Sequence, residues 1–239
     1  MFLRILEGDN MKTKIIITFG PACDNLRILK KIVDFKVRVI RLNTKYIPIK
    51  NYEKIRQKIM RAGNVKIMID IKKRTILKKI INKKFDYLAI SFTESPHKIV
   101  QIRKMFPKKI KIISKIETQK GVDNVDELIK VSDGIMIARG DLGKDISIEK
   151  IPMIQKMINK KCNKKNVASI TATEMMPSMV RYTRPSRAEV TDVANAILEG
   201  SEFLLLAEET AIGKHPVLAV KIMKKIIKET EKHKQEVKL

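Results

Sequence analysis

The sequence predicts an α/β fold, a single-domain (β/α)8 TIM barrel, on three observations. Eight apolar runs, at residues 14–19, 37–43, 65–71, 85–92, 111–117, 133–139, 167–173 and 203–207, have the length and composition of buried strands. Helical patterns fill every gap between them, and strands alternating with helices pair in parallel. The turn after the first run, Phe19-Gly20-Pro21-Ala22-Cys23, has one glycine, whereas an open doubly wound sheet usually carries a glycine-rich phosphate turn there. A length of 239 residues suits a barrel and supports a sizeable core.

Residues 1–12 read as an N-terminal extension, because Met11-Lys12-Thr13-Lys14 leads directly into the first strand, and 13–230 as the barrel. A short Lys-rich helix joins the third strand to the fourth. Asp123, with Asp126 three residues on, reads as the start of a helix after the fifth. Ser186-Arg187-Ala188-Glu189 is a capping box, followed by Val190, Val193, Ala194, Ile197 and Leu198 on one helical face and by Gly200 as the stop. Pro216 suits the first turn of the last helix, whose stripe is Val217, Val220, Met223, Ile226 and Ile227. From Glu229 onward the pattern dissolves, and 231–239 read as a charged tail.

The net charge of +25 suggests nucleic acid as a partner. The lysines, however, are spread over nearly every predicted helix, and no helix-turn-helix, zinc-finger or aromatic-interleaved motif accompanies them, so the charge reads as a compositional bias. Two cysteines, Cys23 and Cys162, form neither a disulfide framework nor a zinc site and fit a reducing compartment. No run approaches membrane-spanning length, and Arg4, Glu7 and Asp9 interrupt any signal-peptide core, so a cytoplasmic protein without a membrane partner is expected.

Two strands carry charge where a buried strand has no structural use for it. In Lys111-Ile112-Ile113-Ser114-Lys115-Ile116-Glu117 strand alternation puts Ile113, Lys115 and Glu117 on one face, with Lys115 and Glu117 roughly 6.7 Å apart. The same rule groups Ile135, Ile137, Arg139 and Asp141. Barrel active sites lie at the C-terminal strand ends. The polar residues expected there are Arg41, Asn43, Asp70, Lys72, Ser91, Lys115, Glu117, Arg139, Gly140, Asp141, Thr173 and Glu174. Glu117 and Asp141 are hard oxygen ligands suited to Mg²⁺ or Mn²⁺, and Arg41, Lys72 and Lys115 are cations for a phosphate or carboxylate. Against this, an acid at a strand end often only caps the next helix, and a lysine is usually solvated.

Four segments closely resemble pyruvate kinase: Ile113 to Asn124, Ser132 to Gly143, Ile170 to Met175 and Arg184 to Ala196. The stretch Thr13 to Ala22 and the triplet Arg41-Leu42-Asn43 match that family's beginning. The resemblance implies a barrel that transfers the phosphoryl group of phosphoenolpyruvate to ADP, giving pyruvate and ATP. By match, Glu117 and Asp141 would hold the divalent metal, Lys115 would neutralise the phosphoryl group in flight, and Arg41 would bind phosphate. The Gly140 and Asp141 amides with the Thr173 hydroxyl would hold the carboxylate, and Asn43 with Asp70 would belong to a potassium site; Lys72, with Asn43, is expected among the cofactor-binding residues. A homo-oligomer is compatible with this reading.

The departures are specific. The family's inserted lid domain after the third strand is reduced to the link from Ile71 to Phe85, and its C-terminal regulatory domain is expected to be missing. Its Asn-Phe-Ser-His-Gly has become Asn43-Thr44-Lys45-Tyr46-Ile47, Ser-Phe-Val-Arg has become Ser91-Phe92-Thr93-Glu94, Thr-Gln has become Thr173-Glu174, and Ser-Gly-Glu-Thr has become Ala207-Glu208-Glu209-Thr210. The expectation is a reduced, non-allosteric enzyme in which the Lys45 ammonium replaces K⁺ as counter-ion to Asp70. The alternatives are a metal-dependent 2-oxo acid lyase or decarboxylase and a catalytically impaired phosphoenolpyruvate-binding remnant.

Overall fold

The structure, a computed structural model, describes residues 11–234 and Glu236. In these residues eight parallel strands close into one barrel in sequence order: β1 (Lys14–Thr18), β2 (Val39–Asn43), β3 (Lys66–Ile71), β4 (Tyr87–Ile90), β5 (Lys111–Ile116), β6 (Gly134–Ala138), β7 (Ala168–Ala172) and β8 (Phe203–Leu206). Closure is made by β1 against β8, with Lys14 to Ile17 registered on Phe203 to Leu206. The predicted strands are all present, trimmed by up to two residues at an end where the chain turns into a loop or helix.

The helices, in order, are α1 (Leu26–Asp34), α2 (Tyr52–Ala62), α3 (Leu77–Ile80), α4 (Pro96–Met105), α5 (Gln119–Asp123), α6 (Val125–Val131), α7 (Arg139–Asp145), α8 (Ile151–Lys164), α9 (Arg187–Leu198), α10 (Glu208–Ala211) and α11 (Pro216–His233). The capping box on α9 forms as its sequence requires, Ser186 Oγ accepting from the Glu189 amide at 3.2 Å and Glu189 returning a bond to the Ser186 amide at 2.5 Å. Gly200 sits just past α9 with φ +91°, the left-handed conformation that ends helices. Of the expected face, Val193 and Ile197 are buried, Val190 is exposed, and Ala196 joins the buried side.

Two further expectations are corrected. Asp123 does not open a helix: Thr118 caps α5 by accepting from the Gly121 amide at 3.1 Å, and Asp123 is its last residue. The last helix does not dissolve at Glu229 but continues to His233, and Glu231 accepts from the Lys12 and Thr13 amides at 3.1 and 2.6 Å, tying the start of the barrel to its end. Residues 1–10 of the expected extension lie outside the described residues.

Alternation divides the core in two. Residues such as Ile15, Ile17, Ile40, Ile69, Leu88, Ile112, Ile135 and Leu204 face the helices. The barrel interior is filled from every strand, by Ile16, Val39, Met68, Tyr87, Ala89, Ile113, Met136, Ala168, Ile170, Ala172, Phe203 and Leu205. Each strand side chain two positions on points the same way. At the top of this filling, the inward positions are therefore Thr18, Arg41, Asp70, Ser91 and Lys115 at the ends of β1 to β5, but Ala138, Ala172 and Ala207 at the ends of β6 to β8. One half of the mouth is charged, and the other is hollow.

Candidate active site

The hollow is a cleft of about 760 Å³ at the C-terminal mouth, lined among others by Arg41, Asp70, Ser91, Lys115, Gly140, Asp141 and Thr173. Lys72, Lys73, Lys144 and Lys45 stand at its edge. The strands thus bring together most of the residues expected there.

Asp70 is the hub. One of its oxygens takes Arg41 Nε at 2.8 Å and the other Lys115 Nζ at 3.2 Å. Arg41 also donates from Nη1 to Thr18 Oγ1 at 3.0 Å, and Lys115 to Ser91 Oγ at 2.8 Å. All three charged groups are nearly fully buried. Burial alone would push the Asp70 carboxyl up, but the Lys115 and Arg41 cations outweigh it and hold the group below the usual aspartate range. Thr18 was not among the expected site residues, although alternation from Ile16 puts it on the inner face at a strand's end, the same signal that marks Lys115.

Glu117 lies 1 % exposed at the head of β5. Its Oε2 accepts the Phe92 amide at 2.6 Å, a bond made available by the left-handed backbone of Phe92 at φ +51°. Its Oε1 is 2.9 Å from Lys115 Nζ, yet no donor is directed at it in hydrogen-bonding geometry. Burial raises the Glu117 carboxyl above the usual glutamate range, and the Lys115 cation offsets this only in part. Lys115 is the cation that meets Oε1 here, and the hard carboxylate oxygens of Glu117 and Asp141 form a donor set that fits a divalent metal. Asp141 lines the cleft half-buried, its Oδ1 engaged by the exposed Lys144 at 2.8 Å. No cluster of three or more His, Cys, Asp or Glu suited to a metal occurs among the described residues, so further ligands to such an ion would be water and substrate oxygens.

The expected grouping of Ile135, Ile137, Arg139 and Asp141 is not observed. β6 stops at Ala138, and Arg139 begins α7, where residues two apart point in nearly opposite directions. Asp141 keeps the cleft, while Arg139 turns away from it toward Asp192, at 2.7 Å. Gly140 and Thr173 do meet: the Gly140 amide donates to Thr173 Oγ1 at 2.7 Å, and that hydroxyl lies 2.5 Å from the Ala172 carbonyl.

The reading of Lys45 is also corrected. The two Asp70 oxygens accept from Arg41 and Lys115, and Asn43 Oδ1 accepts the Lys45 amide at 2.9 Å. Lys45 does not reach Asp70. Its side chain is 69 % exposed, and Nζ lies 3.9 Å from Glu208 and 5.1 Å from the Tyr46 ring centre. Lys72 is held 5.3 Å above the Phe92 ring. Two unexpected acids have plain structural partners: Glu94 accepts the Thr118 hydroxyl at 3.0 Å, and buried Glu209 accepts the Met176 and Ala207 amides at 3.0 and 2.8 Å.

Residues 66–220 match the family model described as "Pyruvate kinase, barrel domain". Among curated relatives, the pyruvate kinase of Clostridium perfringens is 49% identical over 150 residues, covering 61% of this chain and 32% of that protein. That of Methanocaldococcus jannaschii is 40% identical over 179 residues, covering 72% of this chain and 40% of its own. That of Dictyostelium discoideum is 49% identical over 154 residues, 63% of this chain and 30% of its own. The chain thus spans about a third of the length of the curated relatives it matches.

Proposed function

The chain belongs to the pyruvate kinase family through its barrel domain, and from that premise we propose that its mouth moves the phosphoryl group of phosphoenolpyruvate to ADP, as a cytoplasmic, reduced and non-allosteric catalyst. The observation that carries the reading is the buried Lys115–Glu117 pair, at 2.9 Å, with Lys115 lining a cleft that also presents Arg41, Lys72 and Lys73 beside the carboxylates of Asp70 and Asp141. Phosphoryl transfer asks little covalent chemistry of a protein and relies on position and charge.

Arg41 and Lys115 are already oriented by Asp70, so the cations need not reorganise when a phosphate enters. Lys115 neutralises the charge that develops on the phosphoryl oxygens as the bond to the enol oxygen breaks and that to the nucleotide forms. Glu117 and Asp141 would hold Mg²⁺ or Mn²⁺, which supplies Lewis-acid neutralisation of substrate oxygens. The carboxylate end lies toward Gly140, Asp141 and Thr173, against the small side chains Ala138, Ala172 and Ala207, which leave it room. ADP is left to the rim, where Lys72, Lys73 and Lys144 offer cations to its phosphates. Between β3 and β4 there is only one 3-10 turn and α3, so the rim gives little cover from water.

A coupled assay with phosphoenolpyruvate, ADP and Mg²⁺ tests the reading. The expected result is ADP-dependent pyruvate formation that falls on the order of 10²–10³-fold in Lys115→Met. Pyruvate no greater than in that variant would sink it. Turnover of oxaloacetate or enolisation of pyruvate without ADP would replace it with a lyase, and calorimetric binding of Mg²⁺ and phosphoenolpyruvate without turnover with a binding remnant.

A further inference from the structure

Arg139 is about nine-tenths buried, points away from the cleft and takes no part in the site described above. Its guanidinium nevertheless grips the loop that carries Thr173. Nε and Nη2 donate to the Thr173 carbonyl at 3.2 and 2.9 Å, and Nη2 also to the Glu174 carbonyl at 3.0 Å. Nη1 is fixed by Asp192 on α9 at 2.7 Å and by Gln155 on α8 at 3.3 Å, and Gln155 is itself held by Glu199 at 2.9 Å.

The segment so held is not one the chain would adopt unaided. Thr173 and Glu174 are consecutive left-handed residues, at φ +69° and +54°. A β-branched residue is a genuine outlier there, and such conformations persist only where their surroundings impose them. The left-handed turn aims both carbonyls at the guanidinium. The next residue in the chain, Gly140, takes the other end of Thr173 by donating its amide to the hydroxyl. Arg139 and Gly140 therefore hold Thr173 at carbonyl and side chain together.

We infer that Arg139, locked by Asp192, is a positioning residue that fixes the Thr173 hydroxyl against the Gly140 amide at the carboxylate end of the cleft. The role of Thr173 rests on the phosphoenolpyruvate reading. A lysine could not substitute, because one ammonium cannot span two carbonyls and a carboxylate in the plane of a guanidinium fork.

The test removes the lock and leaves the guanidinium. Asp192→Ala is expected to lower kcat for phosphoenolpyruvate by about tenfold, within the range that small misplacements of a catalytic group cause. KM for ADP should stay, and Asp192→Asn, which keeps an acceptor for Nη1, should recover most of the loss. In a Thr173→Ala background the same Asp192→Ala change should add nothing, because the group it positions is already gone. Losses that multiply in the double variant, or a fall in Tm with kcat unchanged, would overturn the inference and leave a purely structural network. A wild-type chain without phosphotransfer would defeat the proposed function alone. The positioning is then read from ¹⁵N-labelled protein: the Gly140 amide resonance should move in Asp192→Ala as it does in Thr173→Ala, and an unmoved resonance refutes it.

Discussion

The two ends of this barrel treat buried charge in opposite ways. At the N-terminal end two carboxylates beside strand starts accept from the backbone. Asp86 takes the Ile67 amide at 2.9 Å, and Asp133 the Ile112 amide at 2.8 Å together with Arg103 and Lys111. At the mouth, Arg41, Asp70, Lys115 and Glu117 are buried together on the inner face, and one glutamate oxygen has no donor. Backbone strain divides in the same way. Lys36 and Asn166, left-handed at the N-terminal end, merely follow the ends of α1 and α8, an ordinary way to stop a helix. Phe92, Thr173 and Glu174, left-handed at the mouth, end no helix and instead aim backbone groups at Glu117 and Arg139. One end is satisfied and holds the fold; the other carries cost for the sake of a site.

The largest stability effect should therefore come from the satisfied end. Asp133→Ala leaves the Ile112 amide without its side-chain acceptor and Arg103 without its carboxylate, at a cost of about 2–3 kcal/mol. Denaturant unfolding measures the loss, and activity per folded molecule should be unchanged. A variant as stable as wild type, or one that keeps stability but loses turnover, would break the division between the ends.

What the sequence made legible follows the same division. The strands were readable because parallel strands buried on both faces are continuous apolar runs, and Ile112, Ile135 and Leu204 could lie nowhere else. Lys115 and Glu117 were readable because their charge interrupts such a run at one end. Arg139 was misplaced because alternation groups it with Ile135 and Ile137 without saying which face is inner: Met136 and Ala138 point into the barrel, and Ile135, Ile137 and with them Arg139 point toward the helices. Lys45 was misplaced because a long flexible side chain goes to whichever acid the fold supplies, here Glu208 across the neighbouring loop. The positions of Thr173 and Glu174 were foreseen, but their left-handed backbone was not, since only a tertiary clamp makes it affordable for a threonine.

The mouth can be relieved of its cost. Glu117 has a raised carboxyl, so its contribution favours folding below the ordinary glutamate range and is lost as pH rises through its folded value. Asp70, held low by its two cations, contributes in the opposite sense: its stabilisation is present above the ordinary aspartate range and lost as pH falls. Glu117→Gln removes the first effect and keeps the second. Without divalent metal the variant should be more stable than wild type by about 1 kcal/mol at pH 8, a Tm gain of roughly 2–4 °C, and the gain should vanish near pH 4. Adding Mg²⁺ should raise the Tm of wild type and not of the variant. A variant less stable than wild type at pH 8 would mean that Glu117 belongs with the satisfied acids of the other end.

The smallest effect is expected at Lys45, on the rim, where charge is neither buried nor strained. Its ammonium meets only Glu208 and the face of Tyr46 in solvent, and exposed ion pairs of this kind contribute about 0–1 kcal/mol. Lys45→Ala should shift Tm by no more than about 1 °C. The same geometry bears on monovalent cations. Asp70 is already neutralised by Arg41 and Lys115, and Asn43 spends its oxygen on the Lys45 amide, so phosphotransfer should run equally well in potassium and tetramethylammonium salts at fixed ionic strength. Because Lys45 takes no part in that neutralisation, Lys45→Ala should be just as indifferent to the salt. A strong potassium requirement in wild type would refute the buried pairing as the state that turns over, and a requirement appearing only in Lys45→Ala would return the ion's role to the lysine.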